Sequence, residues 1–363
     1  MSQKITKTII ITGTHLTPAI ELIRQLKNDQ NINWNISYIG RKFNSSESQD
    51  QSIESIVIPK LNVDYFSIDC GKFDRKYFPN TLHGIGKTIK GFFESQRIIN
   101  QTKPDVIVSF GGYVSVPVVI NGWFKHIPSI THEQTSTNSL TTKINSFFVN
   151  KIALSFDNPR QLKHLPKDKT IVSGNLLRYE LFTQSIKIPS INKTSKPIIY
   201  ITAGNQGSHS INLVLKKLIP KLNKFIIIHQ TGQLDFNKFK KISLKYNNYY
   251  PFNYIETKYM GWIFQNASII ISRSGANTSQ EIVAFSKNSI LIPLPKSQQN
   301  EQLLNANWVK NLLPKQTIII DQSKLDSNTL FSAINLIISN NINHKSVKAT
   351  ANLRLLKLIY EII

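Results

Sequence analysis

The chain predicts an α/β protein made of two similar halves, on three grounds. Short β-branched runs alternate with longer helical stretches from end to end. Most of the short runs are nearly continuous in apolar residues, as parallel strands covered on both faces require. The alternation is interrupted once, at Tyr179–Lys196, a polar stretch with Pro189 inside it and Pro197 after it, where no periodicity is sustained.

In order along the first half, strands are expected at Thr8–Ile11, Asn35–Ile39, Ser55–Ile58, Val106–Ser109, Ser129–Thr131, Lys151–Leu154 and Thr170–Val172. In the second half they are expected at Pro197–Ile201, Lys224–His229, Tyr249–Tyr254, Ser268–Ser272, Ser289–Ile292 and Thr317–Ile320. Helices fill the gaps, among them Pro18–Asn28, Thr81–Asn100, His209–Pro220, Thr278–Phe285 and Glu301–Asn311. Phe43–Ser52, rich in Ser, Gln and acidic residues, reads as a surface loop. The length of 363 residues suits two domains, expected at 1–180 and 197–344 with a linker at 181–196. The closing stretch Lys345–Ile363 is expected to be helical and to pack back on the first domain.

Composition bounds the function classes. Hydrophobic residues make up 40% of the chain, enough for packed cores. The single cysteine, Cys70, excludes a disulfide scaffold and a Cys-based zinc site, and suits a reducing compartment. No run approaches the length of a membrane span, and the N-terminal residues lack the pattern of a secretory signal. Lys and Arg outnumber Asp and Glu by 44 to 21, a formal charge of +23. That excess fits either a drift of composition towards Lys, Ile and Asn or attraction to an anionic partner: nucleic acid, anionic lipid or a phosphorylated substrate. Charge alone does not choose.

The loops carry more. Three strand-to-helix turns hold glycine: Thr12-Gly13-Thr14-His15, Ala203-Gly204-Asn205-Gln206-Gly207-Ser208 and Arg273-Ser274-Gly275-Ala276-Asn277-Thr278. Glycine there lets backbone N–H groups approach a ligand, and the helix that follows favours an anion at its N-terminus. A fourth turn, Ser109-Phe110-Gly111-Gly112-Tyr113-Val114-Ser115, ends a buried strand in a double glycine, and Thr131-His132-Glu133-Gln134 follows the next apolar run. Then come Gly174-Asn175-Leu176-Leu177-Arg178, Glu281, Pro293-Leu294-Pro295 and Gln302-Leu303-Leu304-Asn305-Ala306.

From about Ile9 to Trp308 this set resembles, in order and spacing, the MurG-type N-acetylglucosaminyltransferases of peptidoglycan synthesis. The resemblance implies a GT-B fold, two Rossmann-like domains facing an interdomain cleft. It implies inverting transfer of N-acetylglucosamine from UDP-N-acetylglucosamine to the undecaprenyl-pyrophosphate-linked muramyl-pentapeptide, lipid I, giving lipid II. No cofactor is implied beyond the donor itself, and no Asp-x-Asp metal motif occurs. The chain departs from the family pattern at Ile10, Ile11 and Thr14, which replace glycines, and at Thr135, Leu176 and Asn205, which replace asparagine, proline and serine.

Carried over position by position, the donor set is Thr12, Gly13, Thr14, Thr135, Arg178, Asn205, Gln206, Thr257, Ala276, Asn277, Thr278, Glu281, Glu301 and Gln302. Glu281 falls where the family binds the ribose hydroxyls, as a carboxylate accepting two of them can do; the plain alternative is a solvated helix glutamate. Gln302 would meet the sugar hydroxyls, with Glu301 a weaker candidate beside it. Arg178 would meet the phosphates or the uracil neighbourhood, the alternative being an ordinary linker salt bridge. The acceptor set is Gly111, Gly112, Tyr113, Ser115, His132, Glu133 and Gln134. His15 is the candidate general base, against a purely structural donor at a helix start. The His132–Glu133 pair is a second candidate, or else shapes the acceptor pocket.

Leu82, Ile85, Ile89 and Phe92 recur at helical steps, with Phe93, Lys87 and Lys90 nearby and Trp123 and Phe124 further on. The stripe is either core or a patch docking on an anionic membrane surface beside a lipid acceptor. The resemblance places the protein peripherally at the cytoplasmic face of the cell membrane and leaves room for contacts with other cell-wall synthesis proteins. Rival readings are a transferase acting on another lipid such as a diacylglycerol, a binding protein that keeps the fold without turnover, and a nucleic-acid binder. No nucleic-acid recognition motif is present to support the last.

Overall fold

The computed structural model describes residues 4–43, 51–71, 78–183, 186–191, 195–204, 206–295, 297, 300–339 and 350–363, leaving aside the side chains of 78–85, 87, 183 and 350–352. The chain divides into two compact units, Met1–Leu176 with Thr350–Ile363, and Leu177–Ala349.

The first unit holds seven parallel strands, β1 (Ile5–Gly13), β2 (Ile32–Gly40), β3 (Asp64–Ser67), β4 (Val106–Phe110), β5 (Ser129–Glu133), β6 (Lys151–Leu154) and β7 (Thr170–Val172), in the order 3-2-1-4-5-6-7. The second holds six, β8 (Ile198–Thr202), β9 (Ile226–Gln230), β10 (Tyr249–Phe252), β11 (Ala267–Ser272), β12 (Ser289–Leu291) and β13 (Thr317–Ile319), in the order 10-9-8-11-12-13. Each sheet therefore reverses its direction of growth once, beside β1 and β4 in one and beside β8 and β11 in the other. At such a reversal the loops leaving the carboxyl ends diverge and open a crevice for a ligand.

Alternation along the strands explains why they are apolar throughout. Ile9, Ile11, Val106 and Val108 point to one face, against Leu22, Ile23 and Leu26 of the Leu16–Lys27 helix. Ile10 and Ile107 point to the other, against Ile98, Ile99 and Val118. The second sheet repeats the scheme: Ile199, Ile227 and Ile271 pack on one side with Leu215 and Ile334, and Tyr200, Ile228 and Ile270 on the other with Ile263 and Val309.

Twelve of the expected strands fall on observed ones, and Ser55–Ile58 does not. Ile53–Val57 is a short helix capped by Ser52, whose hydroxyl accepts from the Ser55 N–H at 3.2 Å, and Pro59 opens the 3-10 turn behind it. The third strand is Asp64–Ser67, whose polar ends hide it from a hydrophobicity reading. The stretch 181–196 was expected as a linker. It instead begins in a short helix, Glu180–Thr183, and buries Leu181, Ile188 and Ile191 in the core of the second unit, at spacings that follow no single period.

The Thr350–Tyr360 helix adds Leu355, Leu358 and Ile359 to the core of the first unit. Its Tyr360 hydroxyl donates to Asp29, which also accepts from the Trp34 indole N–H at 2.8 Å and the Asn31 N–H at 2.9 Å. Among the described residues no helix is long and apolar enough to cross a membrane.

Candidate functional site

In the first unit the reversal brings together the ends of β1 and β4. The two turns interlock: the Thr14 N–H donates to the Gly111 carbonyl at 3.1 Å, and a Cβ on Gly13 would lie 2.7 Å from backbone atoms of Phe110 and Gly111. A Cβ on Gly112, at φ +78°, would lie 2.3 Å from the Thr14 hydroxyl. Glycine at 13 and 112 is thus a packing requirement before it is a ligand contact. Thr12, just before these turns, is fully buried.

His15 stands at the N-cap of the Leu16–Lys27 helix without using its side chain as a cap, and its ring edge faces Gly111. Burial holds the imidazole below the ordinary histidine range, against the opposing pull of the Glu133 charge. A neutral imidazole is the form a general base needs.

The His132–Glu133–Gln134 segment, expected to meet or shape the acceptor pocket, is buried. His132 donates through Nε2 to the Gly174 carbonyl at 3.1 Å and packs on Phe110, and burial lowers its pKa to about 4. Glu133 accepts from the Thr135 N–H and hydroxyl at 3.1 and 2.8 Å, and from the Ser139 N–H and Thr142 hydroxyl at 2.9 and 2.6 Å. Its lone pairs are spent on shaping the loop after β5, Thr135 included. Ser115 is likewise buried, donating to the Gly112 carbonyl at 2.9 Å. Tyr113 remains half-buried and hydrogen-bonds Arg41, itself paired with the buried Glu54 at 2.7 Å.

In the second unit the reversal gathers the ends of β8 and β11. Gln230, at the end of β9, joins the chain after β8 to that after β10, donating to the Gly204 carbonyl at 2.8 Å and accepting from the Ile255 N–H at 3.0 Å. Gly207 lies so close to Gly232 that a Cβ on either would sit 2.0 Å from a carbonyl oxygen beside the other. Asn205 falls outside the described residues, and Gln206 is exposed. Neither N-cap residue, Ser208 of the His209–Leu218 helix nor Gly275 of the Ala276–Ala284 helix, makes a side-chain capping bond. The latter helix carries Ala276, Asn277 and Thr278, all half-buried, in its first turn. Such helix starts present N–H groups and partial positive charge to an anion.

Glu281, one turn further, is buried rather than solvated. Arg178 meets it as a fork, Nε to Oε1 at 2.9 Å and Nη2 to Oε2 at 2.8 Å. Burial opposes the guanidinium's charge, but the Glu281 carboxylate holds its pKa above the ordinary arginine value. A cavity of about 40 Å³ between them is lined also by Thr202, Gly204, Gln230 and Thr278. Gln302 accepts from the Leu294 N–H at 2.9 Å, and its carbonyl and Asn305 bind Ser274, so the Glu301–Leu312 helix is tied to the loop after β11. Glu301, half-buried, starts that helix. Thr257, also half-buried, starts a separate 3-10 turn, and neither lines the cavity.

Arg273 is a residue that motif reading passed over. It donates to the Ile292 and Pro293 carbonyls at 3.0 and 3.3 Å, to the Ser208 and Ser210 hydroxyls at 2.9 Å, and to Gln322 at 2.6 Å. One guanidinium thus joins the loops at the carboxyl ends of β8, β11, β12 and β13. The only hint in the sequence was a cation inside a glycine turn with no acidic residue beside it.

On the first unit, Ile89, Phe93, Trp123 and Phe124 are exposed, and Phe92 joins Phe93 and Phe124 through ring contacts at 6.2 and 6.4 Å. The side chains of Leu82 and Ile85 lie outside the described residues. Lys90 is engaged by Asp69 at 3.3 Å and Glu94 at 3.8 Å, so its charge is offset rather than offered to a surface.

The glycosyltransferase family 28 N-terminal domain matches residues 8–154, and the C-terminal domain of the same family matches residues 198–361. A UDP-N-acetylglucosamine–N-acetylmuramyl-(pentapeptide) pyrophosphoryl-undecaprenol N-acetylglucosamine transferase of Clostridium tetani is 32% identical over 345 residues, 92% of this chain and 90% of the relative. Its namesake from Lachnospira eligens is 32% identical over 337 residues, 90% of each chain. Among solved structures, MurG of Acinetobacter baumannii superposes with a TM-score of 0.70 at 21% identity, covering 98% of this chain and 99% of that one. A UDP-N-acetylglucosamine 2-epimerase of Neisseria meningitidis, solved with its UDP-sugar, follows at 0.66 and 15% identity over 98% and 100% of the two chains. The chain belongs to glycosyltransferase family 28, has the GT-B fold, and within that family is one of the MurG-type N-acetylglucosaminyltransferases.

Proposed function

We propose that the protein transfers N-acetylglucosamine from UDP-N-acetylglucosamine to the undecaprenyl-pyrophosphate-linked muramyl-pentapeptide, converting lipid I to lipid II for peptidoglycan synthesis. The second unit takes the donor, its ribose hydroxyls read by Glu281 and its diphosphate met by Arg178 and the uncapped helix starts after β8 and β11. The first unit takes the acceptor beside Gly111–Gly112 and supplies the base. In a single inverting displacement the acceptor hydroxyl loses its proton to His15, its oxygen bonds the sugar's anomeric carbon, and the bond from that carbon to the diphosphate breaks. The negative charge that develops on the leaving nucleotide is offset by helix N-termini and a guanidinium.

The observation that supports this reading best is the place of Glu281. A buried carboxylate one turn beyond an open helix N-terminus, at the reversal of a parallel sheet, suits a ribose diol next to phosphates. We further propose that the aromatic patch on the first unit brings the protein to the cytoplasmic leaflet where such an acceptor resides. The test is transfer of radiolabelled sugar from UDP-N-acetylglucosamine to a panel of lipid I analogue, diacylglycerol and no acceptor. The expected outcome is a labelled disaccharide-lipid with the first alone. Transfer to diacylglycerol instead, or UDP binding without transfer to any acceptor, would overturn it.

A further inference from the structure

The Arg178–Glu281 fork has a consequence for what the donor site accepts, given the reading of Glu281 as the ribose ligand. Both carboxylate oxygens are already occupied by guanidinium N–H groups at 2.7–2.9 Å, and the Glu281 side chain is 2% exposed. The adjoining cavity of about 40 Å³ has room for roughly one water, not for a pentose. Two ribose hydroxyls therefore cannot reach Glu281 until Arg178 withdraws.

Withdrawal alone is unfavourable, because it strands two buried charges. A diphosphate removes that obstacle, since it offers the guanidinium another planar, bidentate anionic partner. The Arg178 side chain is 27% exposed, so it can turn outward while Glu281 stays fixed on its helix. We propose that Arg178 is a specificity-determining residue that couples ribose recognition to the diphosphate: phosphate takes the arginine, and only then does the diol gain the carboxylate. Uridine, which carries the diol without the phosphates, must break the pair and gives nothing back to Arg178.

The experiment measures UDP binding by titration calorimetry, and uridine binding by displacement of UDP, in the wild type, Arg178→Gln and Arg178→Lys. In Arg178→Gln uridine should bind at least threefold more tightly and UDP at least tenfold more weakly, so that the preference for UDP over uridine collapses by thirtyfold or more. Arg178→Lys keeps a charge but not the fork, and should shift uridine binding in the same direction; it carries the test if the glutamine variant does not fold. Uridine affinity unchanged or reduced in the folded variants, even with UDP weakened, overturns the coupling and leaves Arg178 a simple phosphate contact. A folded wild-type protein that takes up no UDP at all overturns the donor-site reading itself, which distinguishes the two failures.

Discussion

Two histidines reach the carboxyl edge of the first sheet, and their surroundings separate their roles. His132 is fully buried, its Nε2 committed to Gly174 and its pKa lowered to about 4, so it is neutral across the working range and holds the β5 and β7 ends together. His15 lies half-buried at the lip, with its pKa also depressed by burial but opposed by Glu133. A base with a lowered pKa is unprotonated at pH 7 and is lost only when the medium is acidic enough to protonate it. The acid limb of the pH profile of kcat/KM for the acceptor should therefore fall below pH 6.5, the ordinary histidine value. Replacing His15 by Gln should lower kcat by about 10²–10⁴-fold, a usual range for removing a general base, with the KM for the UDP-sugar moving less than about threefold. Retention of that limb in the variant would remove His15 from the proton transfer. The carboxylate of Glu133, the second candidate, is held by four hydrogen bonds.

Elements differ in how they announce themselves. The C-terminal helix is pinned where Asp29 gathers hydrogen bonds from Tyr360, Trp34 and two backbone N–H groups. Burial works against the Asp29 charge, but those bonds win and hold its pKa below the ordinary carboxylate value. The sign follows from linkage: the stabilisation is present above the unfolded-state value, near 3.9, and disappears as pH falls through the lower folded value. Tyr360→Phe should thus speed amide exchange in residues 353–360 at pH 7 and have progressively less effect below about pH 4; equal acceleration at both pH values would show that Asp29 does not anchor the helix. Periodicity made this helix and twelve strands readable, because an Ile-rich run covered on two faces has few other solutions. It failed at Ser55–Ile58, where the Ser52 cap and Pro59 outweighed local β-branching, and at Asp64–Ser67, where register beside β2 rather than hydrophobicity makes the strand. Spacing put His15 just after the first strand and Thr278 and Glu281 just after a later one, and they follow β1 and β11. It could not foresee that His132 and Thr12 point inward, or that Arg273 joins four strand ends, since those facts depend on partners far away in sequence.

The charge of the whole chain, +23, left open whether it reflects compositional drift or attraction to an anionic surface. The structure adds an apolar patch to that question. Rings of Phe92, Phe93, Phe124, Trp123 and Phe148 form a connected group through contacts of 5.1–6.4 Å, and several of them face solvent. Contiguous apolar surface is what contact with a partner or a membrane uses, which is the role proposed for this patch. Basic residues near an anionic leaflet add roughly 1 kcal/mol each but are screened beyond about 10 Å at 0.1 M salt, whereas inserted aromatic surface is not. The two contributions can therefore be separated on vesicles. The wild type should bind vesicles containing phosphatidylglycerol far better than neutral ones, lose most of that binding in 0.5 M salt, and keep a residue of it. The double variant Phe93→Ser, Trp123→Ser should lose the salt-resistant part while its affinity for UDP, which the proposed function assigns to the other unit, stays unchanged. Were charge the sole attraction, the variant would bind low-salt vesicles as the wild type does and no salt-resistant fraction would exist to lose, and the aromatic patch would need another occupant.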